Sequence, residues 1–303
     1  FLGCGWQYLV KKWHIGSLGR AFLCCLETLM AISDTTIKTT PDLQMPQTSP
    51  LVLRIIGAVA LAHLINDLIQ AVLPSIYPLL KDKYDLTFTQ IGLITLTFQL
   101  TASLLQPWVG YYTDRHPNPL LLPSGMVCTL IGILMLSQVG SFPLILLAAA
   151  LVGIGSSTFH PEASRVARLA SGGRYGFAQS TFQVGGNAGS AFGPLLAAAI
   201  IIPYGQGNVA WFGLFALFAV GLLYVISRWY RNHLSLFKLK AGQKATHGLS
   251  KRRVLSALVV LGLLVFSKYF YMASLTSYYT FFLIQKFDVS IANSQMYLFL
   301  FLG

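Results

Sequence analysis

Two titratable side chains stand at helical spacing inside a long apolar run of the sequence. Asp67 is the only charged residue between Arg54 and Lys81, and His63 lies four positions before it. Side chains four apart in a helix share one face. A carboxyl group shielded from water and an imidazole can both exchange a proton near neutral pH. We therefore predict that Asp67 carries a proton and that His63 is its partner or a second titrating group.

Two other interpretations of this pair remain open. Asp67 and His63 form a structural pair that fixes their helix against a neighbour, or they bind a metal. The metal interpretation needs a third ligand, and the sequence places none at suitable spacing. Gln70, three positions after Asp67, lies on the same predicted face and is assigned to ligand binding.

Lys268 is the only charged residue between positions 253 and 286, and Tyr269 and Tyr271 stand beside it. A buried ammonium among phenols suits an anionic ligand, whose charge it neutralises. Lys268 could equally pair with Asp67 when no ligand is bound. The alternative is a side chain that extends along the helix to reach the membrane surface.

Polar residues also form stripes on two other predicted helices. Gln183 and Asn187 are four positions apart, and Gln99 belongs to a similar stripe earlier in the chain. Such stripes would lack hydrogen-bond partners if they faced lipid. They indicate either a polar cavity wall or contacts between helices. The predicted ligand-binding residues are thus Lys268, Tyr269, Tyr271, Gln70, Gln99, Gln183 and Asn187.

A third set of residues surrounds Pro161. Glu162 and Arg165 stand three positions apart, which favours a structural ion pair. The functional alternative places His160 and Glu162 in an inward gate or a proton path.

Long uncharged runs supply the helices that must position these residues. Apolar residues make up 55% of the 303 residues and charged residues 10%, against about 25% in a soluble domain. A spanning helix needs about 20 apolar residues. The sequence therefore predicts an all-α integral membrane protein with an eighth span starting near position 291. The seven complete spans are predicted near 53–80, 88–112, 120–139, 142–163, 177–202, 209–228 and 254–284.

Basic residues predict the orientation of these spans. The connection over 228–253 holds eight Lys and Arg residues and no acidic residue. The loops near 140 and 205 hold no Lys or Arg. The positive-inside rule therefore predicts a cytoplasmic N-terminus. It also explains the net charge of +12 without nucleic-acid binding. The four scattered cysteines match neither a disulfide framework nor zinc spacing, and we expect no metal or cofactor.

The domain organisation follows from the same runs. We expect a non-core segment over 1–50 with Met30 as the native start, and a six-helix bundle over 51–230. A basic cytoplasmic linker over 231–253 precedes the start of a second bundle over 254–303. The last apolar run continues to Gly303, which suggests a fragment.

A short repeat connects the two bundles. Residues 83–87 (KYDLT) follow span 1, and residues 286–290 (KFDVS) follow span 7 and match them in kind. A repeat of six spans with a basic linker between the copies is the layout of the major facilitator fold.

Two motifs and several longer phrases carry a resemblance to that superfamily. Gly110, Asp114 and Arg115 resemble the opening of its loop 2–3 motif, although Pro117-Asn118-Pro119 replaces the later part. Gly189, Gly193 and Pro194 resemble its antiporter motif, with alanines in place of the closing glycines. The phrases HLINDLIQ, LLQPWVGYYTD, FHPEASRVARLASGGR and AQSTFQVGGN strengthen the resemblance over residues 51–303.

The resemblance implies an exporter of the bacterial inner (plasma) membrane with twelve spans. It would exchange a small molecule for protons within the lipid bilayer, and we expect a monomer. The expected gating residues are Gly110, Asp114, Arg115, Gly189, Gly193, Pro194, His160, Glu162 and Arg165. Proton-coupled uptake of a metabolite and an intramembrane enzyme are the alternatives. No nucleophile elbow, Walker loop or zinc-protease motif supports the enzyme.

Overall fold

The structure, a computed structural model, describes residues 51–234 and 250–303. Within these residues, seven helices are long and apolar enough to span a membrane, and a shorter apolar helix follows them. The helices are α1 Leu53–Tyr84, α2 Phe88–Arg115, α3 Leu121–Gln138, α4 Phe142–Ala170, α5 Tyr175–Tyr204, α6 Gln206–Asn232, α7 Lys251–Phe287 and α8 Ile291–Leu302. The predicted all-α membrane fold is confirmed. Segment 1–50, with Met30, and most of the predicted linker lie outside the described residues.

Most of the helices are longer than their predicted spans. α4 continues from position 163 to Ala170, and α7 begins at Lys251 and ends at Phe287. The predicted spans include only the apolar residues that cross the hydrocarbon layer. Backbone hydrogen bonding continues into the interface, where basic side chains are solvated.

The repeated pentapeptide has the same backbone geometry in both copies. Asp85 ends α1 with φ 50°, and Asp288 ends α7 with φ 52°. Two positions later Thr87 and Ser290 cap α2 and α8 by accepting backbone N–H groups at 3.2 Å and 3.3 Å. A left-handed C-cap followed by a hydroxyl N-cap turns the chain sharply between two helices.

The first six helices enclose one apolar core. α1 packs along α5, α3 packs along α4, and α6 covers α1 and α3, while α2 lies on α4. α1 and α5 approach closely because a side chain at Gly189 would overlap the carbonyl of Leu64. Proline residues interrupt α1 at Pro74 and α5 at Pro194, and a π-helical turn over Ala197–Ile201 follows the second.

α7 and α8 contact this bundle at one end. The buried residues of α7 are Ser277, Thr280 and Phe281, all in its last third. α8 packs on α5, and the Gln295 amide donates to the carbonyl of Ser75, where the first segment of α1 ends, at 2.8 Å. This carbonyl is one that a helix terminus leaves without an intrahelical partner.

Candidate functional site

Asp67 lies between two histidines from different helices. His63, one turn earlier on α1, places Nε2 3.2 Å from Oδ2 of Asp67. His160 of α4 places Nε2 3.4 Å from Oδ1 of Asp67. The side-chain exposures are 2% for His63, 17% for Asp67 and 24% for His160. The structure thus forms the predicted His63–Asp67 pair and adds His160 to it. We call these three residues the His–Asp–His cluster.

Backbone carbonyls determine which ring nitrogens carry hydrogen. Nδ1 of His63 lies 2.7 Å from the carbonyl of Phe182, and Nδ1 of His160 lies 2.9 Å from the carbonyl of Ser156. A carbonyl only accepts, so each Nδ1 is the donor. A neutral ring then turns the lone pair of Nε2 toward the Asp67 carboxylate. An attractive contact therefore needs a further proton on Nε2 or on the carboxyl group.

Amide side chains complete the surroundings of Asp67. Asn66 and Gln70 donate to its Oδ1 at 3.0 Å and 3.2 Å. The Ser156 hydroxyl donates to Oε1 of Gln70 at 3.1 Å, which joins α4 to this shell. Both amides thus donate to the same carboxyl oxygen of Asp67.

The His–Asp–His cluster also bears on the metal alternative. Among the described residues, it is the one group of at least three His, Cys, Asp and Glu side chains whose ligand atoms lie within 4.8 Å of one another. Sequence spacing offers no third ligand, but folding brings His160 of α4 next to His63 and Asp67. Oδ1 of Asp67, however, already accepts two amide hydrogens. A cation there would have to displace them, whereas a proton on a histidine would not.

A second charged network lies where α2 meets α4. Arg165 pairs with Glu162 on its own helix and with Asp114 of α2, the latter at 2.5 Å between Nη2 and Oδ1. Arg165 also donates to the Thr113 hydroxyl at 3.0 Å. Glu162 is fully buried, whereas Asp114 is 66% exposed. The predicted Glu162–Arg165 pair is present and reaches the loop 2–3 motif.

The other predicted gating residues have different surroundings. Arg115 lies over the ring of Tyr111, with its guanidinium carbon 3.6 Å from the ring centroid. A side chain added at Gly110 would touch Pro161. A side chain added at Gly193 of α5 would overlap Ala71 of α1. The sequence places His160 with Glu162 in a gate or a proton path, but His160 contacts Asp67 and belongs to the His–Asp–His cluster.

The predicted ligand-binding residues are only partly brought together. Gln70 contacts Asp67 directly. Gln183 donates to Asn187 at 3.2 Å on an exposed face of α5, next to the residues that contact α1. Gln99 of α2 accepts a weak hydrogen bond from Ser103 at 3.4 Å.

Lys268 lies apart from this group. Its ammonium stands 5.2 Å from the ring centroid of Tyr269, and Lys268, Tyr269 and Tyr271 are all exposed. No contact among the described residues joins Lys268 to Asp67. Its assignment as the anion site stays a prediction.

Seven helices long and apolar enough to cross a membrane, with a partly buried polar cluster where α1, α4 and α5 meet, define a multi-pass membrane protein. The family model of the Major Facilitator Superfamily matches residues 59–303, and the chain belongs to that superfamily.

Two bacterial relatives are similar in sequence. A protein of Escherichia coli (strain K12) named "Fosmidomycin resistance protein" is 60% identical over 248 residues, which cover 82% of this chain and 61% of that protein. A protein of Bacillus subtilis (strain 168) named "Uncharacterized MFS-type transporter YfnC" is 40% identical over 247 residues, covering 80% of this chain and 60% of that protein. The chain thus spans about three-fifths of each relative. The second relative is named as a transporter, and neither relative is named as an enzyme.

Two solved structures share the fold. Both are of a bacterial homologue of the human lysosomal transporter Spinster, in inward-facing occupied and unoccupied conformations. The TM-scores are 0.61 and 0.58, at 15% and 16% identity. They cover 82% and 81% of this chain and 57% and 58% of those chains. At this identity the likeness concerns the fold alone.

Proposed function

We propose that the protein is a secondary active transporter that exports a small anionic drug such as fosmidomycin in exchange for protons. The observation that carries the proton step is the His–Asp–His cluster inside the spanning helices, where both Nε2 atoms face the Asp67 carboxylate. A charge at the centre of a membrane helix is costly and usually functional. The relative's name supplies the drug.

Asp67 and His63 carry the proton, and His160 exchanges it with water that reaches the cluster. His160 is the most exposed member of the cluster, while His63 is buried. A proton on one ring makes the cluster neutral overall, and a second proton makes it a cation. The net charge of the cluster therefore changes as protons enter it from one side of the membrane and leave it to the other.

The substrate is bound by a cation and by amides. An anionic drug loses its water in the bilayer, and Lys268 replaces part of that hydration through charge-assisted hydrogen bonds. Tyr269, Tyr271 and the amides of Gln183 and Asn187 supply neutral donors. Gln70 and Gln99 complete the set of proposed contacts.

The proposed setting is the bacterial inner (plasma) membrane, with a cytoplasmic N-terminus and a monomeric protein. Orientation rests on the basic residues of the connection between α6 and α7. Access alternates as Arg165, with Asp114 and Glu162, opens and closes one end of the bundle. Proton-coupled uptake of a metabolite is the second candidate, because the same geometry serves either direction.

The direction of transport can be tested in inverted inner-membrane vesicles that contain the full chain. An acidic lumen should drive labelled fosmidomycin into the vesicles, since protons leave as the drug enters. Drug expulsion under the same gradient would indicate proton-coupled uptake. Chemical change of the drug would indicate an enzyme.

A further inference from the structure

Neighbouring residues of α5 lie on two different faces of the helix. Phe182 and Gly186 are buried against α1, while the next residues, Gln183 and Asn187, are exposed. One face therefore touches the His–Asp–His cluster, and the neighbouring face carries two of the proposed substrate contacts.

Phe182 holds His63 in two ways. Its carbonyl accepts from Nδ1 of His63 at 2.7 Å. Its ring stacks on the imidazole with centroids 3.9 Å apart and planes 19° apart. Because the His63 side chain is 2% exposed, the ring cannot move without moving α5 or losing both contacts.

Gly186 lies against the contact between His63 and Asp67. A Cβ atom at this position would overlap the ring of His63 and lie 2.8 Å from Oδ2 of Asp67. A residue with a side chain would therefore separate the two groups or push α5 away from α1. Glycine allows the α5 backbone to touch the His–Asp–His cluster directly.

We propose that Phe182 and Gly186 are positioning residues that transmit the protonation state of the His–Asp–His cluster to Gln183 and Asn187, so that drug affinity depends on pH. The inference rests on the proposed function. The titratable groups at this point are His63 and Asp67 from α1 and His160 from α4, and α5 itself carries none between 176 and 203. Adding a proton turns a repulsive Nε2–carboxylate contact into an attractive one. The His63 ring shifts, and the backbone at Phe182 shifts with it.

The test compares Gly186→Ala with Gly176→Ala in the purified full chain. Gly176 is on the same helix, and nothing lies within 4 Å of a Cβ atom placed there. Fosmidomycin affinity is measured at pH 6 and pH 8. We expect wild type and Gly176→Ala to show the same ratio of affinities, at least about fivefold, as is usual for coupled sites. Gly186→Ala should reduce the ratio to less than about twofold while it still binds the drug. A wild-type ratio in Gly186→Ala overturns the inference.

Phe182→Leu provides a second measurement if Gly186→Ala fails to fold. This change removes the stacked ring and keeps the carbonyl, and Phe177→Leu, at a half-exposed ring of α5, is its control. A reduced ratio in Phe182→Leu alone supports the inference, and unchanged ratios in both overturn it. If wild type itself shows no pH dependence, the proposed proton coupling fails. If Asp67→Asn loses the dependence while Gly186→Ala and Phe182→Leu keep it, only the role of α5 fails.

Discussion

Nε2 of His160 lies 3.4 Å from Oδ1 of Asp67 and links α4 to α1 in the middle of the bundle. A glutamine at position 160 could still donate to this oxygen but could not accept a proton. We expect His160→Gln to slow proton-driven drug accumulation roughly tenfold or more. The reason is the loss of a positioned group that exchanges a proton, because such groups accelerate proton transfer by about 100-fold or more.

His116→Gln is the matched control for this variant, because His116 is exposed and stacks on Tyr112 away from the His–Asp–His cluster. Initial rates in inverted vesicles with an acidic lumen provide the measurement. Equal rates in His160→Gln and His116→Gln would remove His160 from the proton path.

Much of the fold could be predicted from the sequence because charge-free length decides which segments span a membrane. The repeated pentapeptide can also be recognised in the sequence, and its two aspartates, Asp85 and Asp288, adopt matching left-handed turns. The His63–Asp67 pair followed from spacing within one helix. His160 could not be placed with them, because its position depends on how α4 packs against α1. The signal for His160 in the sequence is only that another predicted span also carries a histidine.

The buried partner of Arg165 should matter more for stability than its exposed partner. Glu162 is fully buried, so Glu162→Gln removes the buried negative charge beside the guanidinium, which keeps Asp114, and should cost about 1–3 kcal/mol of unfolding free energy. Asp114 is 66% exposed, so Asp114→Asn should cost less than about 1 kcal/mol. Thermal unfolding in detergent measures the stability lost by each variant, and both variants remove a carboxylate partner of Arg165. Equal losses would show that burial does not govern this network.

The contact between Gln295 and Ser75 should hold α8 against α1. Gln295→Leu keeps an apolar contact but leaves the Ser75 carbonyl without its donor, which is expected to cost about 1–3 kcal/mol. The contact should then open more often. The measurement is the labelling rate of Ser294→Cys, the buried position of α8 next to Gln295. Gln285→Leu, at an exposed position of α7, is the control. A labelling rate that does not rise in Gln295→Leu contradicts this prediction.

Lys268 should supply positive charge to an anionic drug. Lys268→Met removes that charge and is expected to weaken drug binding roughly tenfold, the equivalent of about 1.4 kcal/mol. Lys268→Arg should retain part of the affinity, limited by the different shape of the guanidinium. Lys286→Met, at an exposed position of the same helix, is the control. Drug resistance of cells with matched membrane levels of each full-length variant provides the measurement. Wild-type resistance in Lys268→Met would move the anion site elsewhere.

Asp67 is proposed to couple proton movement to drug movement, and Asp67→Asn separates the two. Asparagine has nearly the same shape but cannot bind a proton, so the variant should separate drug movement from the proton gradient. Asp82→Asn makes the same chemical change at an exposed position of α1. Inverted vesicles with each full-length variant are assayed for exchange of labelled drug at equal pH and for accumulation with an acidic lumen. We expect Asp67→Asn to retain exchange and lose accumulation, while Asp82→Asn retains both. Accumulation by Asp67→Asn at the rate of Asp82→Asn would show that Asp67 does not couple drug movement to protons.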